Sequence, residues 1–384
     1  MIYWDYNATA PVRNSVKKRI QEAMDQYPGN PSSTHSLGQA ARAYVERVRR
    51  KAAEKLGVQP GELIFTGSAT ETNLFAIRGY WLHNKKKGPK DFRPYVLASR
   101  IEHPSVCRNL DYLAENEGAK IMEMPRRPEG TVDLEGIEKL LKENKFWLCS
   151  LQGASNETGI IQPWAELAKL CQKYDVPMHS DMVQVFGRIP LSFKDRVLQS
   201  ATISFHKSGG VRASSLLYLK QGAPWEPTLW GGAQEKKRWA GTENIISIAS
   251  IDALIDEMEE SIQTYQEKVS RVRDQFEKEL QKQVPQVKIV GTDTTRLPNT
   301  SYCIFQGIAS DAMLMNLDVH DICASAGSAC SSGMALPSKT LQKLGYSEED
   351  AKCAIRFSLG ESSEELQIPK VLEVITSTIA RLAA

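Results

Sequence analysis

The residues best suited to chemistry in this sequence are Ser-Phe-His-Lys-Ser-Gly-Gly at 204–210, directly after the apolar, β-prone run 201–203. Lysine is seldom buried unless it is paired, and glycine lets the backbone turn sharply or approach a ligand closely. A lysine held at the end of a strand can act as an amine nucleophile that forms a Schiff base with a carbonyl compound. We interpret Lys207 as such a nucleophile, although any single lysine is more often a solvated turn residue.

A second candidate site is the sequence Thr-Gly-Ser-Ala-Thr at 66–70, which stands between an apolar run and a helical pattern. The unpaired backbone N–H groups and the dipole of a helix start are suited to binding a phosphate. A simple helix cap by Ser or Thr is the alternative interpretation. The stretch lacks the multi-glycine fingerprint of dinucleotide-binding proteins, which argues against a dinucleotide.

Two polar residues follow other apolar runs. Asp181 ends the run 176–180, and His103 follows the run 95–99. Ligands of α/β sheets bind beyond the carboxyl ends of the strands, where a carboxylate can pair with a protonated ring nitrogen and a histidine can stack on a planar ligand. The alternatives are a helix cap for Asp181 and an ordinary loop histidine for His103.

Arg356 interrupts an apolar run, Ile355-Arg356-Phe357-Ser358. A buried arginine needs an anion, and the fork of its guanidinium group fits a carboxylate. A substrate carboxylate and a structural ion pair explain the residue equally well, so both interpretations remain open at this point.

Residues 324–333 are a run of small residues around one thiol, Cys330. Because such a run has little to bury, we expect an exposed, mobile loop in which Cys330 is a reactive nucleophile and not an incidental surface thiol. Six further cysteines stand among apolar residues, and we expect buried, unpaired thiols and a reducing compartment. No cysteine spacing is typical of a metal site, so we predict none. These six are Cys107, Cys149, Cys171, Cys303, Cys323 and Cys353.

Composition narrows the class of protein. The 384 residues are 41% hydrophobic and 24% charged, with a net charge of +2, as in ordinary soluble proteins large enough for two domains. The small net charge gives no support for nucleic-acid binding, and no apolar run is as long as a membrane span. The first residues lack the pattern of a signal peptide. We therefore expect a cytoplasmic protein that binds neither a membrane nor nucleic acid directly.

Short apolar runs alternate with helical patterns between residues 60 and 220. This alternation is typical of an α/β fold in which helices cover both faces of a mostly parallel sheet. The runs that predict strands are 62–65, 95–99, 120–124, 146–151, 176–180, 201–203 and 216–219.

A long helical stretch from Glu243 to about Lys282 leads into a second, smaller α+β domain, with strands near 287–290, 301–306 and 353–358. We predict three parts. Residues 1–15 form an N-terminal arm that packs on the small domain, residues 16–260 form a large ligand-binding domain, and residues 261–384 form the small domain that carries the Cys330 loop.

Taken together, the motifs resemble the cysteine desulfurases of the NifS/IscS type (group I), within the class V aminotransferase family of pyridoxal-phosphate enzymes. The resemblance covers nearly the whole chain. It implies fold type I of the pyridoxal-phosphate-dependent transferases, with a mostly parallel seven-stranded sheet in the large domain, and a homodimer. The motifs are 5–9 (DYNAT), 29–33 (GNPSS), 70–73 (TETN), 156–159 (NETG), 179–181 (HSD), 204–207 (SFHK), 241–244 (GTEN), 325–330 (SAGSAC) and 356–360 (RFSLG).

The resemblance also implies a role for each candidate residue. Lys207 binds pyridoxal 5′-phosphate as a Schiff base, and Asp181 keeps the pyridine nitrogen protonated so that the ring acts as an electron sink. His103 stacks on the ring, Gln184 bonds its phenolic oxygen, and Asn156 lies near the same oxygen and the substrate. The phosphate-binding residues are Ala69, Thr70, Ser204, His206 and, from the second subunit of the dimer, Thr242.

The implied reaction is the removal of sulfur from L-cysteine to give L-alanine. Arg356, with Asn156, grips the substrate carboxylate, and Lys207 moves the α-proton. Cys330 takes up the sulfur as a persulfide and passes it to an acceptor protein, either an iron–sulfur scaffold or a thiolation protein.

Two stretches depart from the family pattern. Residues 208–215 keep a glycine and a basic residue but lack a proline and the later glycines, and Trp239 stands where an arginine is usual. We expect changes in the pocket wall and in the dimer contacts there.

Three other functions remain as alternatives: a selenocysteine lyase, a class V aminotransferase, and a degenerate relative that acts as a non-catalytic binding subunit. An aminotransferase has no need of Cys330 in a run of small residues. The intact Lys207, Asp181 and Arg356 argue against a non-catalytic protein.

Overall fold

A computed structural model describes residues 1–88, 90–327 and 337–382, so Cys330 lies outside the described residues. In chain order the strands are β1 (Ile2–Tyr3), β2 (Leu63–Thr66), β3 (Tyr95–Ala98), β4 (Lys120–Glu123), β5 (Phe146–Ser150), β6 (Met178–Asp181), β7 (Ser200–Ser204), β8 (Ser215–Leu219), β9 (Lys288–Ile289), β10 (Thr300–Ile304), β11 (Ile322–Cys323) and β12 (Ala354–Ser358).

The helices follow the same order. They are α1 (Asn14–Gln26), α2 (Ser36–Leu56), α3 (Ala69–Lys86), α4 (Pro104–Glu117), α5 (Leu134–Glu143), α6 (Trp164–Lys173), α7 (Gln234–Lys237), α8 (Ile245–Asp256), α9 (Met258–Thr264), α10 (Ser270–Gln283), α11 (Ser310–Val319), α12 (Lys339–Lys343), α13 (Glu348–Lys352) and α14 (Ile368–Leu382). Within these described ranges, no helix is long and apolar enough to span a bilayer.

Seven strands form the large sheet, in the order β2–β8–β7–β6–β5–β3–β4. Strand β8 is antiparallel to both of its neighbours, and the remaining pairs are parallel. The sequence prediction of an α/β fold with a mostly parallel seven-stranded sheet is therefore confirmed. Its physical basis is the burial of the strands on both faces, which requires nearly continuous apolar runs.

Alternate residues of each strand serve two different cores. In β2, Leu63 and Phe65 join the core that includes α1, α2, α5, α6 and α8, whereas Ile64 joins the core formed by α3 and α4. This is the expected consequence of the two-residue repeat of a strand. Helix α3 therefore lies flat on one face of the sheet, with its first residue close to the end of β2.

A third core belongs to the C-terminal third of the chain, where β12, β10 and β9 form a small antiparallel sheet. The first residues of the chain pack into it, since Ile2 and Trp4 are buried there and β1 pairs with β11 in parallel. The division of the chain at residues 15 and 260 stays a prediction.

The helical stretch predicted from Glu243 to about Lys282 is present as consecutive segments: α8 ends at Asp256, α9 follows, and a π-helical turn at Tyr265–Val269 precedes α10. One sequence prediction about local structure is wrong. Three of the cysteines expected to be buried are only half-buried, because they lie at the ends or edges of elements: Cys107, Cys323 and Cys353. The buried thiols are Cys149, Cys171 and Cys303.

Candidate active site

A cavity of about 460 Å³ lies at the carboxyl ends of β2, β6 and β7 and at the start of α3. Ten of the twelve predicted site residues line it. They are Ala69, Thr70, His103, Asn156, Asp181, Gln184, Ser204, His206, Lys207 and Arg356. Thr242 is exposed and lies outside this lining, and Cys330 lies outside the described residues.

The phosphate candidate is the first turn of α3. Ser68 caps this helix, because its Oγ accepts a hydrogen bond from the backbone N–H of Glu71 at 3.3 Å. The helix-cap interpretation is therefore confirmed for Ser68, while Ala69 and Thr70 line the cavity and their binding of a phosphate stays a prediction. The first backbone N–H groups of a helix have no partner within it and attract an anion.

Asp181 is the last residue of β6 and is 8% exposed. Its Oδ1 accepts a hydrogen bond from the backbone N–H of Val183 at 2.9 Å, and its Oδ2 accepts one from Nδ2 of Asn73 at 2.8 Å. These donors hold the carboxylate in one orientation at the cavity wall. Asn73 lies on α3, so the helix whose first turn is suited to an anion also fixes the carboxylate of Asp181.

His103 is both a cavity residue and the cap of α4. Its Nδ1 accepts hydrogen bonds from the backbone N–H of Ser105 at 3.1 Å and from Oγ of the same serine at 2.8 Å. Burial lowers the pKa of His103, and the positive charge of Lys207 lowers it further, while Asp181 opposes both effects. The imidazole is therefore neutral at pH 7.

Lys207 lies in a short 3₁₀ turn, His206–Ser208, that follows β7. The turn needs Gly209, which has a φ of 93°, because a Cβ atom there would come within 2.6 Å of Cγ of Arg13. Burial, followed by the nearby charges of Lys207 and Arg212, lowers the pKa of His206 to about 4. His206 therefore offers a neutral ring beside the half-buried amine.

The side chain of Gln184 is held by two hydrogen bonds. Its Nε2 donates to the backbone carbonyl of Asn7 at 3.2 Å, and its Oε1 accepts from Nη1 of Arg188. Arg188 is 1% exposed and also donates to the carbonyl oxygens of Tyr6 at 3.0 Å and Lys207 at 3.3 Å. One buried guanidinium group thus connects the N-terminal arm, Gln184 and the Lys207 turn.

Arg356 makes the structural ion pair that the sequence left open, and its contact with a substrate carboxylate stays a prediction. Its Nη2 forms an ion pair with Oδ1 of Asp5 at 2.8 Å, and its Nη1 donates to the carbonyl oxygens of Asn156 at 2.9 Å and Gly327 at 3.1 Å. Its Nε is buried and has no hydrogen-bond partner among the described residues. The side chain therefore combines a structural ion pair with a buried Nε that has no partner among the described residues.

The sequence departures lie at the cavity and beside it. Arg212 and Ala213 line the cavity, and Ala213 has a φ of 57°. The ring of Trp239 packs 4.1 Å from the ring of Phe75 on α3. The prediction of a changed pocket wall thus has a definite location at residues 212 and 213.

Sequence reasoning assigned no role to several residues that shape this site. Asn7 lies in a recognised motif, but only the fold shows that its side chain reaches Thr300 and the carbonyl of Asn156. The available signal for Arg188 was a charged residue within the apolar stretch 182–193, because such a residue needs buried partners. Asn73 also lies in a recognised motif, residues 70–73, whereas Ser105 gave no signal beyond its helix start.

The chemical groups of the cavity determine which kind of ligand it fits. The described residues contain no group of three or more His, Cys, Asp or Glu side chains that could hold a metal ion. The cavity brings together a helix start, a hydroxyl group from Ser204, a neutral ring from His206, an amine and a fixed carboxylate. These groups fit a small ligand with a phosphate, a carbonyl and a basic ring nitrogen. The cavity volume lies within the usual range for such ligands.

The family model described as aminotransferase class V matches residues 2–371 of this chain. The chain belongs to the class V aminotransferase family. The family assignment is consistent with the sheet order and with the position of the cavity at the carboxyl ends of the strands.

Within this family, the chain is similar to proteins of the NifS/IscS type, as the sequence motifs predicted. A relative named cysteine desulfurase IscS from Dictyoglomus turgidum is 34% identical over 385 residues, which is 99% of this chain and 95% of the relative. The solved structure of a NifS-like protein from Rickettsia africae is 33% identical, with a TM-score of 0.84 over 100% of this chain and 99% of the other. Another NifS-like structure is 28% identical, with a TM-score of 0.90 over 99% of both chains.

Proposed function

We propose that this protein is a pyridoxal-phosphate-dependent cysteine desulfurase that converts L-cysteine to L-alanine and leaves the sulfur as a persulfide on Cys330. The observation that carries the proposal is the meeting of Lys207, Asp181 and Arg356 with the start of α3 in one cavity. The full-length similarity to proteins named cysteine desulfurase supports it.

The residues of the cavity fit pyridoxal phosphate. Lys207 would bind its aldehyde carbon, Asp181 would accept a hydrogen bond from its ring nitrogen, and His103 and Gln184 would contact the ring and its phenolic oxygen. When bound, this group supplies an electron sink for the electron pair left on the α-carbon of an amino acid. The residues that would hold its phosphate are Ala69, Thr70, Ser204 and His206.

Lys207 is the residue that moves the α-proton of the substrate. Its backbone carbonyl is held by Arg188 at 3.3 Å, and its turn follows directly from the buried strand β7. These contacts fix the base of a flexible side chain, so that the amine can move while its attachment point does not. His103 and His206 stay neutral and add no competing positive charge.

Arg356 orients the substrate through its carboxylate. The ion pair with Asp5 and the bonds to two carbonyl groups fix the guanidinium plane, and the residue lines the cavity. An ionised acceptor makes a stronger hydrogen bond than a neutral one, so a carboxylate is the preferred partner. Asn156, whose carbonyl accepts from Arg356, lines the same part of the cavity.

Cys330 completes the reaction. Its thiolate attacks the substrate sulfur, a sulfur–sulfur bond forms, and the carbon–sulfur bond breaks. The electron pair of that bond stays on the substrate carbon, which takes up a proton and becomes the methyl group of alanine. Cys330 lies outside the described residues, but Gly327, three residues earlier, is bonded to Arg356 at the cavity wall.

The test is turnover of L-cysteine by the purified protein with pyridoxal phosphate and a thiol reductant. We expect sulfide and alanine in equal amounts. Cys330→Ala should keep the visible absorbance of the bound cofactor and lose at least about 100-fold in sulfide release, because the sulfur acceptor is gone. In Lys207→Ala, borohydride reduction should no longer attach the cofactor covalently to the protein, because the amine that forms the Schiff base is gone. Cys353→Ala, a half-buried thiol distant in sequence, is the matched control and should keep activity.

Other outcomes identify the alternatives. Sulfide release that is unchanged in Cys330→Ala would contradict the persulfide step. Turnover of selenocysteine alone would indicate a lyase, and amino transfer to a keto acid without sulfide would indicate an aminotransferase. A protein that does not take up pyridoxal phosphate would be a non-catalytic binding subunit.

We also propose a homodimer and a protein that accepts the sulfur, either an iron–sulfur scaffold or a thiolation protein. The exposed position of Thr242 is compatible with a contact to the phosphate site of a second copy. Sedimentation of the wild type and Thr242→Ala, with cofactor affinity measured in parallel, tests this contact. A dimer with unchanged affinity in the variant would remove Thr242 from the site.

A further inference from the structure

A chain of buried polar side chains leads from the large sheet to the cavity. It begins at Ser200 on β7 and passes through His179 on β6, Asn73 on α3 and Ser105 on α4 to His103. The first four of these residues are at most 7% exposed, so the hydrogen bonds among them are largely shielded from water.

The direction of each hydrogen bond follows from chemistry. The carboxylate of Asp181 only accepts, so the group of Asn73 that faces it at 2.8 Å is the amino group. The Oδ1 atom of Asn73 therefore faces Nε2 of His179 at 3.1 Å, and that nitrogen carries the proton. Nδ1 of His179 then accepts from the hydroxyl group of Ser200 at 2.9 Å.

The same reasoning continues to the cavity. The amino group of Asn73 also donates to Oγ of Ser105 at 2.9 Å, which leaves the serine proton to be donated to Nδ1 of His103 at 2.8 Å. The backbone N–H of Ser105 donates to the same nitrogen at 3.1 Å. With two donors directed at Nδ1, the ring carries its proton on Nε2.

We propose that Asn73, Ser105 and His179 are positioning residues that hold His103 in the Nε2–H tautomer and Asp181 in a fixed orientation through one continuous hydrogen-bond chain. His103 then presents a donor and not a proton acceptor to the cavity, and the movement of the substrate proton is left to Lys207. The meaning of this arrangement for catalysis rests on the proposed function, but the tautomer itself does not.

The test is nitrogen NMR of the full-length protein as purified, labelled with ¹⁵N at histidine, at about pH 8, where an imidazole is neutral. The sequence has six histidines, and His103→Gln assigns the signal. We expect one tautomer at His103, with the proton on Nε2. Ser105→Ala removes one of the two donors to Nδ1 and should shift the tautomer ratio about fivefold toward Nδ1–H.

Asn73→Ala removes the group that fixes the direction of the Ser105 hydroxyl and should shift the ratio in the same direction. The matched control is Asn84→Ala, since Asn84 is a buried, hydrogen-bonded asparagine on the same helix whose amino group donates to Arg93 instead. The control should lower stability but leave the His103 signal unchanged. If Asn73→Ala does not fold, Ser105→Ala carries the test.

Two results would overturn the proposal. One is a wild-type His103 with its proton on Nδ1 or with an even mixture of tautomers. The other is a wild-type Nε2–H tautomer that persists unchanged in Ser105→Ala. No substrate is turned over in this measurement, so a failed desulfurase assay and a failed tautomer assignment are distinct outcomes.

Discussion

Burial determines the charge state of His179, which lies under the cavity with no exposed surface. Burial is the largest effect on its pKa and lowers it to about 4, against a smaller opposing effect from Asp181. In the unfolded chain a histidine titrates near 6.5. Between these two values only the unfolded state binds the proton, so acid favours unfolding, and stability falls as the pH drops from about 6.5 toward 4.

This difference can be measured with His179→Gln. Between pH 7 and pH 5 the wild type should lose about 2 kcal/mol more free energy of unfolding than the variant, because the variant has no proton to bind at this position. Urea unfolding at the two pH values gives the comparison. His320→Gln, at an exposed position, is the control and should keep the wild-type pH dependence. An equal loss in His179→Gln would show that the buried ring does not remain neutral.

The segment after Lys207, residues 208–215, combines an unusual sequence with an unusual backbone conformation. Ala213 is exposed, lines the cavity and has a φ of 57°, in the left-handed region that side chains with a Cβ atom disfavour. The sequence also departs from the family pattern here. The structure shows that this departure includes a strained residue, Ala213, at the cavity.

We expect Ala213→Gly to stabilise the protein by about 1 kcal/mol, because removal of the left-handed strain exceeds the added chain entropy of glycine. Ala40→Gly within α2 is the matched control and should destabilise by about 1 kcal/mol, since its helical backbone carries no such strain. Thermal and urea unfolding of both variants measure the two effects. A destabilised Ala213→Gly would mean that the segment is not strained.

The elements that the sequence predicted well are those whose signal is local. Helix α2 has such local signals at both ends, because His35 caps its start at Ser36 and Gly57, with a φ of 71°, ends it after Leu56. The two-residue strands β1 and β11 gave no such signal, since they pair across more than 300 residues of sequence. The short turn α7 was also missed. There Glu235 and two lysines adopt positive φ beside a buried ion pair between Glu235 and Arg49.

The residues of the candidate site also fall into those with a local sequence signal and those without one. Lys207, Asp181 and the start of α3 follow strands and could be found from the sequence. The bonds of Arg188 and Asn7 depend on which loops meet in space. Arg356 needed the structure for a different reason, because only the fold shows its ion pair with Asp5, and its contact with a substrate stays a prediction.

At the scale of the whole molecule, the N-terminal arm is part of both the small core and the cavity. Trp4 has no exposed surface and packs against Phe276 and Phe357 with ring centroids 5.1 and 6.2 Å apart. Its Nε1 donates to Gln367 at 3.0 Å. Only three residues later, Asn7 lines the cavity, so the packing of Trp4 sets the position of that wall.

Trp4→Ala should therefore cost about 3–5 kcal/mol of unfolding free energy and also weaken cofactor binding, because the arm loses its anchor. Urea unfolding and cofactor titration measure the two effects. Leu366→Ala, at a position 77% exposed beside the same partner, should change stability by less than about 0.5 kcal/mol. If Trp4→Ala is destabilised but binds the cofactor with full affinity, the packing of Trp4 does not set the position of the cavity wall.

The pairing of β1 with β11 has a consequence for synthesis on the ribosome. The backbone N–H of Trp4 bonds to the carbonyl of Cys323, and that of Tyr6 to the carbonyl of Ser358, so these residues must wait for partners that are made more than 300 residues later. At ordinary translation rates this delay is on the order of tens of seconds. During that time the cavity lacks the wall that Asn7 and Arg356 provide. A nascent chain therefore cannot assemble a complete substrate site until Arg356 has been made, whatever the state of its large sheet.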